Sequence, residues 1–115
     1  MKGRKEKGKQ KEYDYDGKLK FEGEYLNDKK NGKVKEYYHG RLWFEGEYLN
    51  GEKNGKGKKY YEDKLRFEGE YLNDERNGKG KENNYDDILE FEGKYIKGKR
   101  YGKGKEYSDN GKLIL

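Results

Sequence analysis

The chain has no cysteine, proline, alanine or threonine, and only one histidine, one serine, one methionine and one tryptophan in 115 residues. Without cysteine there are no disulfides, no thiolate chemistry and no cysteine zinc site, so the small secreted disulfide scaffold is excluded. No apolar run is longer than four residues. A membrane-spanning helix needs about 20, and the basic N-terminus is not followed by the apolar stretch of a secretory signal. The expected location is cytoplasmic, with the cytoplasmic face of a membrane as the alternative. Leu, Ile, Val and Phe together number 17, too few for a thick aliphatic core. What is abundant is charge and rings: 29 basic and 24 acidic side chains nearly cancel to +5, and 13 Tyr and four Phe supply the apolar area. Each ring can bury roughly 150–250 Å², so a thin aromatic core in an elongated body is within reach.

A period organises these residues. Phe21-Glu22-Gly23-Glu24-Tyr25 returns as Phe44-Glu45-Gly46-Glu47-Tyr48, Phe67-Glu68-Gly69-Glu70-Tyr71 and Phe91-Glu92-Gly93-Lys94-Tyr95, in steps of 23, 23 and 24. Each copy is followed by a second block: Asn31-Gly32-Lys33-Val34-Lys35, Asn54-Gly55-Lys56-Gly57-Lys58, Asn77-Gly78-Lys79-Gly80-Lys81 and Tyr101-Gly102-Lys103-Gly104-Lys105. The chain is expected to divide into a basic, frayed arm (1–7) and a repeat array (8–115). The array comprises a half repeat at 8–18, repeats near 19–41, 42–64, 65–88 and 89–112, and a truncated end at 113–115.

Alternation of rings with charges in Phe21–Leu26 is the period-two pattern of a strand with one dry and one wet face. Asn27-Asp28, Asn50-Gly51 and Asn73-Asp74 suit two-residue hairpin turns, because they tolerate positive φ. Taken literally, such a turn pairs Leu26 with Lys29, Glu22 with Lys33 and Phe21 with Val34, and sets Phe44, Phe67 and Phe91 opposite Gly57, Gly80 and Gly104. The Asn-Gly pairs at 31, 54 and 77 allow a bulge or longer loop instead. Short turns at both strand ends leave an up-and-down meander. The expected fold is all-β: tandem β-hairpin repeats in an open, single-layer antiparallel sheet, with Phe21, Gly23, Tyr25, Phe44, Gly46, Tyr48, Phe67, Gly69, Tyr71, Phe91, Gly93 and Tyr95 as the structural repeat core.

The unit Phe44–Lys58 resembles the MORN (membrane occupation and recognition nexus) repeat, whose pattern is aromatic-x-Gly-x-aromatic, a short Gly-containing loop, then Gly-x-Gly. The resemblance implies one hairpin per repeat in a curved, extended sheet. It also implies a role as binding module or scaffold, for protein partners, for phospholipid or for self-association. Five residues depart from the pattern: Val34 for the second Gly, Tyr101 for Asn, Lys94 for Glu, and Asn83-Asn84 for the aromatic pair at Tyr37-Tyr38 and Tyr60-Tyr61. The third hairpin is therefore expected to pack its second strand less well.

Chemistry has little raw material. The Gly-Lys-Gly-Lys runs lack the spacing of a phosphate loop. Ser108 and His39 lie more than one and a half repeats apart, whereas nucleophile and base need about 3 Å. Asp14 with Asp16, and Asp86-Asp87, read as turn residues rather than metal ligands, and no cofactor or metal is expected. The chain reads as non-catalytic, a scaffold or adaptor for protein partners with homodimerisation or end-to-end stacking; the alternative is peripheral binding to anionic phospholipid. Nucleic acid is disfavoured. Residues 1–12 hold six basic side chains (Lys2, Arg4, Lys5, Lys7, Lys9, Lys11) against two acidic, a net +4, which places any anionic attraction in the arm. Trp43 fills a slot that is Lys20, Arg66 or Glu90 elsewhere, so alternation places it on the charged face as a candidate hot spot. Leu113, Ile114 and Leu115 form an apolar edge open to pairing.

Overall fold

Strands form where ring and charge alternate, and they stop where the chain needs positive φ. The computed structural model describes residues 7–114. Its strands are β1 Lys7–Tyr13, β2 Leu19–Leu26, β3 Lys29–Tyr38, β4 Arg41–Leu49, β5 Glu52–Tyr61, β6 Lys64–Leu72, β7 Glu75–Asn83, β8 Leu89–Ile96 and β9 Lys99–Glu106. Each pairs antiparallel with its sequence neighbour, giving one open nine-stranded sheet in the order β1 to β9. The body measures 57 × 32 × 15 Å. All nine strands lie in that one sheet, so the described residues form a single layer.

The hairpin turns have positive φ at both central residues, as at Asn27 (51°) and Asp28 (67°). This geometry matches the twist of the flanking strands. His39-Gly40 and Glu62-Asp63 make the same turn between repeats, and Lys97-Gly98 makes it in the last hairpin. Three connections are longer. Asp14 Oδ1 accepts the amides of Asp16 and Lys18, Asn84 Oδ1 those of Asp86 and Ile88, and Ser108 Oγ that of Lys112. The loop after Asn83 accounts for the 24-residue step. Asn83 itself ends β7 by donating from Nδ2 to the Leu65 carbonyl at 3.1 Å.

Leu26 does face Lys29, but the register changes one step further on. Gly23 pairs with Val34, Glu22 with Lys35 and Phe21 with Glu36, so the expected pairs Glu22–Lys33 and Phe21–Val34 do not form. The Asn31-Gly32 bulge, with Gly32 at φ 102°, adds two residues to β3. An even insertion preserves the face of every side chain, so the alternation survives although the partners shift. Phe44 likewise pairs with Lys59, and Gly57 with Gly46. The ring nevertheless lies over Gly57, where an added Cβ would meet the Phe44 ring at 2.8 Å and Tyr71 Cε1 at 2.9 Å.

The core is one row of rings. Phe21, Phe44, Phe67 and Phe91 are buried, as are Tyr48, Tyr71 and Tyr95. Edge-to-face contacts run without a break from Tyr48 through Phe44, Tyr71, Phe67 and Tyr95 to Phe91, with centroids 5.2–6.1 Å apart. In the first hairpin Val34, only 3% exposed, fills the slot that Gly57 and Gly80 leave to the rings. With no second layer above them, the rings are roofed by cations: Lys30 over Phe21 at 4.3 Å, Lys53 over Phe44 at 4.6 Å, Arg76 over Phe67 at 4.0 Å and Arg100 over Phe91 at 4.1 Å. Long basic side chains can do this because their stems are apolar and their heads reach water.

Candidate functional site

The two faces of the sheet differ in chemistry. One is a trough of about 2170 Å³ floored by the repeat glycines. Along one side charges alternate strand by strand through Lys11, Glu22, Lys35, Glu45, Lys58, Glu68, Lys81, Glu92 and Lys105. Tyr37 and Tyr60 anchor this row by donating to Glu22 at 2.9 Å and Glu45 at 2.7 Å. Burial first, and those carboxylates second, push both phenols up to about 12. Along the other side Glu24, Glu47 and Glu70 accept the bulge amides of Lys33, Lys56 and Lys79 at 2.7–3.0 Å. Lys94 breaks that row by standing opposite Lys79. Lys79 and Lys94 thus make a local pair of like charges within the repeats.

The second face carries the rings and a row of carboxylates that serve them. Glu12 accepts the Tyr25 hydroxyl. Glu36 accepts that of Tyr48 at 2.9 Å and pairs with Lys30 at 3.2 Å. Glu82 accepts the Tyr95 hydroxyl and the Arg100 Nε–H, the latter at 2.8 Å. Burial works to raise the Glu82 carboxyl, but the bonds from Arg100 and Tyr95 outweigh it and hold the group below its ordinary range. Burial and Glu36 together drive the Tyr48 phenol well above its usual value.

Lys59 interrupts this column. It occupies the place of Glu36 and Glu82, directly opposite Phe44 on β4 and Phe67 on β6. It is half-buried, and desolvation, with Lys53 and Arg76 next in weight, lowers its pKa. Its Nζ stands 4.6 Å from the centre of the Trp43 ring. Reading for Phe, Gly and Tyr alone passed over Lys59; the column Glu12, Glu36, Lys59, Glu82, Glu106 contains the signal.

Trp43 is thus on the ring face and not on the charged trough. The correction has a local cause: Tyr37 pairs with Leu42 and Glu36 with Phe44, so Trp43 is an extra residue on β4 and strict alternation lapses there. Its equivalents behave alike, with Arg66 over Tyr85 at 4.0 Å and Glu90 3.7 Å from Arg100. Trp43 remains 39% exposed and has Tyr38 beside it, centroids 6.3 Å apart.

The remaining expected sites are scattered. Lys2, Arg4, Lys5 and Leu115 lie outside the described residues. Lys7, Lys9 and Lys11 belong to β1, where Lys9 faces Glu24 and Lys11 faces Glu22, so they are part of the sheet and not of an arm. Leu113 bridges Tyr107, and the Ile114 amide donates to the Glu106 carbonyl at 2.7 Å. The expected apolar edge is therefore already tied to the end of the sheet, although both side chains stay exposed. Among the described residues there is no group of three or more His, Cys, Asp or Glu able to hold a metal ion.

The family model for the MORN repeat matches residues 21–40, 44–66, 67–85 and 91–112. None of the curated proteins compared with the chain matches it. Four successive matches spanning most of the chain, on four successive hairpins of one open sheet, mean that this protein belongs to the MORN repeat family.

Proposed function

We propose that the chain is a non-catalytic intracellular scaffold that holds a partner protein against the ring face of its sheet, around Trp43. The observation that carries this reading is the exposure of Trp43 beside Lys59. The array's own packing accounts for the four Phe rings and for Tyr48, Tyr71 and Tyr95, which are buried, whereas Trp43, on the same face, leaves apolar surface for a partner to cover. Buried tryptophans are among the largest contributors to protein–protein binding energy. The experiment is Trp43→Ala, with binding to a captured partner measured beside thermal stability. The expected result is a Kd at least about tenfold weaker, a loss of about 1.4 kcal/mol or more, with little change in Tm. Equal losses in binding and stability, or no loss of binding, would refute it.

Leu113 and Ile114, 60% and 65% exposed, favour a second and weaker contact, between copies of the chain. Both outer strands of the described sheet are lysine-rich, Lys7–Tyr13 and Lys99–Glu106, so edge-to-edge approach brings like charges together. Self-association should therefore grow with salt as well as concentration. Light scattering that finds a strict monomer at high salt and high concentration would remove this contact. Liposome sedimentation with and without residues 1–6 tests the competing attachment to anionic phospholipid; sedimentation that depends on those residues would favour the membrane over the partner.

A further inference from the structure

In the neighbouring repeats the ring face shows what its cations and hydroxyls are built to hold. Around Glu36 stand the Tyr48 hydroxyl and Lys30. Around Glu82 stand the Tyr95 hydroxyl and Arg100, with Arg76 acting from a little further off. At the equivalent point in the second repeat the same surroundings recur with Lys53, Arg76 and Tyr71, but the side chain from the strand is Lys59. Lys59 stands opposite Phe44 and Phe67, and those two rings are covered by Lys53 at 4.6 Å and Arg76 at 4.0 Å, so three cations share this stretch of the face. Glu36, the carboxylate that acts on Lys59, is already engaged by Tyr48 and Lys30. Tyr71 is paired with Arg76 across β6 and β7, whereas the Tyr48 and Tyr95 hydroxyls donate to carboxylates.

We infer that the cluster of Lys53, Lys59 and Arg76, with the Tyr71 hydroxyl and the Trp43 ring, receives the carboxylate of a Glu or Asp from an acidic segment of the partner protein. This deepens the partner-binding reading and rests on it. The ligand class follows from the sister positions, where a glutamate carboxylate accepts from a tyrosine hydroxyl and a basic side chain at once. Carboxylates accept such paired donors well. The flanking carboxylates Glu36 and Glu82 are each engaged by their own tyrosine and cation, so Lys59 adds a cation to this face where the sister strands add a carboxylate, which favours an anion supplied from outside. Trp43 adds a flat apolar surface 4.6 Å from the Lys59 ammonium, suited to a residue flanking the acidic one. The two residues that most plainly break the repeat pattern on this face, Trp43 and Lys59, thus form one site.

The probe is a hexaglutamate peptide, followed through the fluorescence of Trp43, the sole tryptophan, with hexalysine as the control. Hexaglutamate should give a saturable change that weakens with salt, and hexalysine none. Lys59→Glu should abolish the change, Lys59→Gln should weaken it by about tenfold or more, and circular dichroism should show both variants folded. Unchanged binding of hexaglutamate to Lys59→Glu would overturn the inference. So would a Trp43 response confined to inorganic phosphate or to phosphatidylserine vesicles, which would identify a phosphate ligand instead. If wild type and Lys59→Glu retain the same protein partner with equal affinity, the scaffold reading stands and the carboxylate site falls.

Discussion

Replacing Lys59 by glutamate should make the protein more stable. The variant restores to the second repeat the carboxylate that Glu36 and Glu82 supply to theirs. In those repeats the carboxylate accepts a tyrosine hydroxyl and pairs with a basic side chain, at 2.9 and 3.2 Å for Glu36. A hydrogen bond to a charged acceptor contributes about 1.5–3 kcal/mol, and half-burial puts this one at the lower end. An ion pair to Lys53 or Arg76 adds at most about 1 kcal/mol at such exposure. Against this stands the lost cation–ring contact with Trp43, about 0.5–1 kcal/mol. The balance is a gain of about 0.5–2 kcal/mol, or a rise in Tm of roughly 2–12 °C. Urea and thermal denaturation followed by circular dichroism and Trp43 fluorescence measure it, with Lys59→Gln expected between the two. Tyr71→Phe supplies the second arm of a cycle: it should remove most of the gain in the Lys59→Glu background and cost little in the wild type. A Lys59→Glu protein no more stable than wild type, or a gain indifferent to Tyr71, would refute the reasoning. The same substitution is expected to abolish acidic-peptide binding, so Lys59 would exchange stability for function.

Phe67→Ala should cost about 3–5 kcal/mol, because the ring is buried and touches Tyr71, Tyr95 and Arg76. Phe21→Ala should cost less by about 0.5–1.5 kcal/mol, one ring pair, since Phe21 meets Tyr25 alone among the rings; equal urea midpoints would contradict the continuous ring row. Gly80→Ala should destabilise by about 1–3 kcal/mol through overpacking, since the new methyl would lie 2.7 Å from Phe67 Cε1; an unchanged Tm would show that the ring yields. Tyr37 and Tyr60 hold their protons up to about 12 in the fold and release them near 10.0 when unfolded. Their contribution is thus complete below pH 10 and lost as pH rises towards 12. Lys59, lowered by desolvation, works in the opposite direction, but as a single group. The net expectation is a falling urea midpoint between pH 9 and 12, and Glu45→Gln should move the Tyr60 titration part of the way down from about 12; a flat profile would count against these bonds.

The repeat, its strands and most of its turns are legible in the sequence because they rest on short-range rules. Alternation within Phe21–Leu26 decides which side chains share a face, and Asn27-Asp28 or Asn50-Gly51 supply the positive φ of a tight turn. The Phe and Tyr row follows from these alone, and so does its continuity through stacked copies. Lys97-Gly98 escaped notice because lysine is a poor marker of that backbone. What only the tertiary structure decided is where the alternation slips. Whether Asn31-Gly32 turns or bulges depends on the strands at both sides of β3, which must close their hydrogen bonds with neighbours on each edge. The bulge between Leu42 and Phe44 arises in the same way, and it carries Trp43 from the expected charged face to the ring face. Trp43 and Lys59 lie 16 positions apart in the chain and on adjacent strands, and only that bulge brings the ring over the ammonium.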